Sequence, residues 1–237
     1  YDIDGFDAPD RTVFSEHITG PGVIDLSFQQ EPDAQLHCVR ADGQLAVCTY
    51  NVEQDVTAWG RWITDGVVES VASIPTSDSE QTWLVVRRTV GGVQKRFVEY
   101  FDPTIKTDSA VTGTDETAKA TWYGLDHLNG KTVQALADGV YQGTYTVAAG
   151  AVTLPRNANA VEFGLAYTPR MQLLNPEVGS AAGTSQGAAI SVGEVIVRVL
   201  DTVGVVINGQ TKTFRKMNDS LLDVPPEVGT GDMRETT

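Results

Sequence analysis

Histidine, cysteine, long apolar runs and helix-forming periodicity are all in short supply in this 237-residue chain. No apolar run approaches the roughly 18 residues that a membrane-crossing helix needs, and no signal-peptide pattern is present. The chain opens on Tyr1 without an initiator Met, as expected of a processed chain or an excised piece of something longer. The three histidines, His17, His37 and His127, lie far apart and share no metal-ligand spacing, so each reads as a structural or surface residue. No Gly-rich phosphate loop, Gly-x-Ser-x-Gly elbow or His-Glu-x-x-His helix occurs. The opening "DIDGFDAPD" sets out Asp2, Asp4, Asp7 and Asp10 somewhat like a calcium loop. However, Gly5 comes too early and Val13 stands where a closing glutamate belongs. The expectation is therefore no catalytic residue, no cofactor and no metal, and a protein that is not an enzyme.

The two cysteines, Cys38 and Cys48, flank "VRADGQLAV". A two-residue turn at Asp42-Gly43 would pair Cys38 with Val47 and place the sulfurs on opposite faces of a hairpin, which excludes a disulfide. Two free, half-buried thiols fit a reducing cytoplasm.

Charge of one sign is plentiful. The chain carries 31 acidic against 17 basic residues, a formal net charge of −14. Residues 1–34 hold Asp2, Asp4, Asp7, Asp10, Glu16, Asp25, Glu31 and Asp33 against Arg11 alone. Such a field repels phosphate backbones and anionic membranes, and it works against adventitious nucleic-acid binding. With 41% hydrophobic residues, the chain still has enough apolar material for a real core.

Turn dipeptides recur at short intervals: Asp42-Gly43, Asp65-Gly66, Gly91-Gly92, Asn129-Gly130, Asp138-Gly139 and Asn208-Gly209. Between them lie runs of Val, Thr, Ile and aromatic residues, which predicts an all-β fold. Four or five successive antiparallel strands between residues 35 and 101 suit propeller-like blades. Gly91-Gly92 as a two-residue turn sets Val90 opposite Val93, Arg88 opposite Lys95, Arg87 opposite Arg96, Val86 opposite Phe97 and Trp83 opposite Tyr100. The hairpin tip is then basic on both faces. Directly opposed like charges are destabilising, so acidic groups are expected to reach it from elsewhere. In "EQDVTAWGRWITDG", Trp59 and Trp62 fall on opposite faces of one strand. Each is expected to pack against a neighbouring sheet, with Arg61 stacked or ion-paired nearby.

The small, polar segment 102–120 reads as a linker or excursion between two β units. The division expected is blades over 1–103, linker plus a small accessory β-barrel or sandwich over 104–178, and returning strands with an irregular tail over 179–237. Residues 177–191 read as a mobile loop. Trp122 and Tyr123 are the aromatics best placed for a ligand platform, with a packed anchor as the plainer reading of the pair.

Several ordered motifs carry a resemblance. They are Glu31-Pro32-Asp33 ahead of Arg40-Ala41-Asp42-Gly43, Tyr50-Asn51-x-Glu53-Gln54-Asp55-Val56 leading into Ala58-Trp59-x-Arg61, and Ile74-Pro75. The strand pair beginning "WLVVRRTVGG", then "GLDHLNGK", "GEVIVRVLDTVGVVING" and "DVPPEVGTGDMR", follow in order. Together, from about residue 10 to 235, they resemble the C-terminal part of the tail nozzle proteins of short-tailed bacteriophages. Ahead of "VIVRVL" other members carry lysines or arginines where this chain has "GAAIS", so the resemblance does not carry a charged contact over to that position. The resemblance implies a structural virion protein, made in the host cytoplasm and built into the virion tail. It also implies a hexameric ring of identical copies below tail adaptor proteins, a β-propeller with accessory β domains, and a channel that closes over the genome and then conducts DNA without reading its sequence. It supplies no catalytic residues. An acidic channel wall would let DNA slide instead of sticking. The alternative is a receptor- or glycan-binding tail module; a glycan-degrading tail enzyme would need a carboxylate pair in a cleft.

Overall fold

A computed structural model of the chain describes residues 9–173, 191–214 and 228–236. The chain divides into two compact units, residues 1–167 and 168–237.

Among the described residues, the first unit holds three antiparallel sheets. A short helix, α1 (Glu16–Thr19), precedes a four-stranded meander of β1 (Val23–Gln29), β2 (Gln35–Arg40), β3 (Leu45–Asn51) and β4 (Val56–Trp62). A three-stranded meander follows: β5 (Val67–Pro75), β6 (Glu80–Val90) and β7 (Val93–Tyr100). The two meanders share a core in which Val39 and Leu45 meet Val68, Val71, Leu84 and Val86, with Val47, Trp62 and Phe101 closing the sides. Polar groups on β1 tie them further. Asp25 accepts from the Ser70 hydroxyl and the Val71 amide, and the Ser27 hydroxyl accepts from the Ser73 amide.

Turn chemistry fixes the registers. Gly91 and Gly92 both adopt positive φ, and the β6–β7 pairing follows with Arg88 opposite Lys95 and Arg87 opposite Arg96, as the two-residue turn requires. The Asp42-Gly43 turn is one residue longer than expected. The Arg40 amide donates to the Gln44 carbonyl and Ala41–Gly43 form a three-residue loop, so Cys38 faces Ala46 and Cys48 faces Leu36. This corrects the expected register: the two sulfurs lie on the same face, and both thiols are free and buried. Gly43 has no room for a side chain, since a Cβ there would stand 2.6 Å from Cγ1 of Val67.

The third sheet overturns the linker reading for residues 108–120, while residues 102–107 do connect the second meander to it. β8 (Asp108–Tyr123) is a 16-residue edge strand along β11 (Ala151–Leu165), in the order β10–β9–β11–β8 with β9 (Thr132–Ala137) and β10 (Val140–Thr146). Residues 108–120 of β8 hold no apolar side chain larger than Val111, while the partner strand β11 contributes Val152, Leu154, Val161, Phe163 and Leu165 to the core. The small residues are needed: the Trp122 ring lies over Gly113, where a Cβ would be 3.0 Å from it. The pairing slips between Lys119 and Thr114, and the chain in between bulges out. No ladder joins β10 to β8, so among the described residues the sheet is open and no barrel closes. Its core gathers Trp122, Leu125, Leu128, Val133, Val152, Leu154 and Phe163.

In the second unit, β12 (Glu194–Thr202) pairs with β15 (Gly229–Thr236), and β13 (Gly204–Ile207) with β14 (Gln210–Thr213) across the Asn208-Gly209 turn. The tail, expected to be irregular, thus contains a strand over 229–236, because β12 offers a partner and buries Met233 opposite Val197. Residues 174–190, which include most of the expected mobile loop, lie outside the described residues. No helix among the described residues is long and apolar enough to cross a membrane.

Candidate functional site

The β6–β7 hairpin gathers several ion pairs, through Arg87, Arg88 and Arg96. Along β6 the inward row runs Thr82, Leu84, Val86, Arg88, Val90, so the alternation that builds the core also carries Arg88 into it. Its side chain is only 3% exposed. Nε and Nη2 of Arg88 each lie 2.7 Å from a different oxygen of Glu99, a bidentate pair, and Nη1 donates to the Asp65 carbonyl at 2.8 Å. Asp108 stands behind, with Oδ1 3.7 Å from Nη2, and its Oδ2 accepts from the Thr64 hydroxyl at 2.5 Å. Burial lifts the Asp108 carboxyl above the ordinary aspartate range, against the pull of Thr64 and Arg88.

On the other face, Arg87 and Arg96 stand directly opposite each other. The β5–β6 register slips between Val68 and Ser70, so Glu69 is an extra residue in a bulge. Its two oxygens take Nε of Arg87 at 2.7 Å and Nε of Arg96 at 2.5 Å. Those hydrogen bonds, Arg96 first, hold the Glu69 carboxyl below its usual range. The acidic partners expected at the basic tip are thus Glu69, Glu99 and Asp108. Pattern reading could not supply the bulge, because nothing in "GVVESVASIP" marks Glu69 as the extra residue.

The remaining candidates are dispersed. His17 is exposed on α1, and His37 is buried under Phe101 with ring centroids 5.7 Å apart. Nε2 of His127 lies 3.0 Å from the Ser109 carbonyl oxygen, and its ring tilts against Phe97. Burial depresses the His37 imidazole to about 4. Burial, with Cys48 adding to it, pushes the Cys38 thiol up to about 11, far from a reactive thiolate. Asp2, Asp4 and Asp7 lie outside the described residues, and Asp10 caps Thr12 through its amide and hydroxyl. No group of three or more His, Cys, Asp or Glu among the described residues could hold a metal ion.

Trp62 packs edge to face on Phe101 within the shared core of the two meanders. Trp59 lies on the opposite face of β4, against Ile18, Cys38 and Ala46, with Nε1 donating to the Arg11 carbonyl at 2.9 Å. Its cover is α1 and the segment before it, not a second sheet. Arg61 is exposed, and no stacking or ion pair holds it among the described residues, contrary to expectation. Trp122 is 4% exposed and anchors the third core, whereas Tyr123 is 74% exposed.

Neither protein-family models nor curated protein sequences give a match to this chain.

Proposed function

We propose that this chain is a structural component of a short-tailed bacteriophage virion, part of the tail nozzle that closes the genome-ejection channel and then conducts DNA through it. The observation that carries the reading is the ordered series of motifs from Glu31-Pro32-Asp33 to "DVPPEVGTGDMR". The fold supports it: β1–β4 form a consecutive four-stranded meander and β5–β7 another meander beside it, the way propeller blades are laid out along a chain. On this reading the chain works as one copy in a hexameric ring beneath adaptor proteins. The −14 charge makes its surface one over which DNA passes without binding. The alternative, a receptor- or glycan-binding tail module, draws on the exposed ring of Tyr123, while its companion Trp122 is taken up by packing.

The test is immunogold electron microscopy with antiserum raised against this chain, on intact virions produced by the genome that encodes it. Gold at the tail tip of genome-filled particles is the expected result. Protein found only in the soluble lysate, with unlabelled particles, would sink the proposal. Saturable binding of the purified chain to host-surface glycans, lost in Tyr123→Ala, would move the assignment to the alternative.

A further inference from the structure

The first unit contains cores that do not merge. The apolar cluster between the two meanders ends at Phe101, and the cluster of the third sheet begins at Trp122; no residue belongs to both. Polar contacts span from one to the other. Arg88 and Glu99 come from the β6–β7 hairpin, Thr64 and Asp65 from the β4–β5 connection, and Asp108 from the start of β8. Lys131, from the connection into β9, reaches Asp65 with Nζ to Oδ2 at 2.7 Å. His127 against Phe97 is the ring contact at the same boundary.

We infer that Arg88 is the pin of an ionic latch that holds the β8–β11 sheet against the two meanders, so that this sheet can part from them as a folded body. A boundary closed by charges separates differently from a shared apolar core. The groups it exposes are ones that water solvates, while each core keeps its own buried surface. The guanidinium is suited to the role, since Glu99 and the Asp65 carbonyl fix it from the meander side and leave Nη2 3.7 Å from Asp108 across the boundary. Removing it leaves Glu99 and Asp108 facing each other with no cation between them.

Hydrogen exchange followed by mass spectrometry on the whole chain tests the latch. It compares wild type, Arg88→Met, and the charge-free combination Arg88→Met/Glu99→Gln/Asp108→Asn, which leaves no buried charge unpaired. In Arg88→Met, exchange in the boundary segments 64–66 and 106–109 should rise at least tenfold, while strands β6 and β9 keep wild-type protection. The combination variant should show the same selective opening from a folded chain. If β6 and β9 lose protection together with the boundary, the unit is one cooperative body and the latch does not exist. An unchanged boundary in both variants, or failure of both to fold, would overturn the latch equally.

Discussion

Trp62 and Phe101 meet edge to face, ring centroids 5.0 Å apart and planes at 82°, on the inner side of the first meander. One residue ends β4 and the other follows β7, so this pair fastens the last strand of the first meander to the exit of the second. Truncating Trp62→Ala opens that corner and should cost about 3 kcal/mol, the low end for a tryptophan that is only partly covered. Trp59→Ala, on the far face, should cost less, chiefly its hydrogen bond to the Arg11 carbonyl and its contact with Ile18. Urea unfolding of the two variants side by side checks the order; an equal or reversed loss would contradict the assignment of Trp62 to the shared core.

Glu69→Gln should destabilise the chain in low salt, because Arg87 and Arg96 would then stand opposed with no carboxylate between them. The loss should shrink as salt screens the two guanidinium groups. Chemical denaturation at two ionic strengths decides it; a difference independent of salt would mean that the bulge itself, and not its charge, was disturbed.

His37 should impose an acid limit. Its imidazole is 2% exposed and depressed from 6.5 to about 4, so the folded chain refuses a proton that the unfolded chain accepts. Stability attributable to this residue is therefore intact above pH 6.5 and lost as pH falls towards 4, by about 3 kcal/mol in all. His37→Leu should flatten the stability curve in that window relative to wild type. Parallel curves for the two proteins would show that His37 is not the titrating group.

Gly43→Ala should be far more costly than Gly92→Ala. Both glycines have positive φ, 81° and 80°, which penalises any L-residue by about 1–2 kcal/mol. Only at Gly43 would the added methyl also strike Val67; at Gly92 it meets open space. Melting temperatures that fall equally would mean that the Ala41–Gly43 loop can shift to accept the methyl.

The sequence by itself determined the class of fold and the local geometry of its tight hairpins. Gly91-Gly92, Asp138-Gly139 and Asn208-Gly209 demand positive φ at adjacent residues, and that demand is met within the dipeptide, so strand pairing follows from it directly. The basic tip and its need for carboxylates were legible for the same reason. Tertiary structure decided the rest. Ala41–Gly43 takes a three-residue loop, its Gly43 carbonyl accepting from the Val68 amide of the next sheet, and this one-residue change put both cysteines on one face. β8 and β15 became strands because β11 and β12 offered them free edges, a partnership invisible in their own composition. In the sequence Arg88 is one cation of a basic hairpin tip. It is buried because Glu99, Asp65 and Asp108 converge on it from three separate stretches of chain, and only folding brings those together.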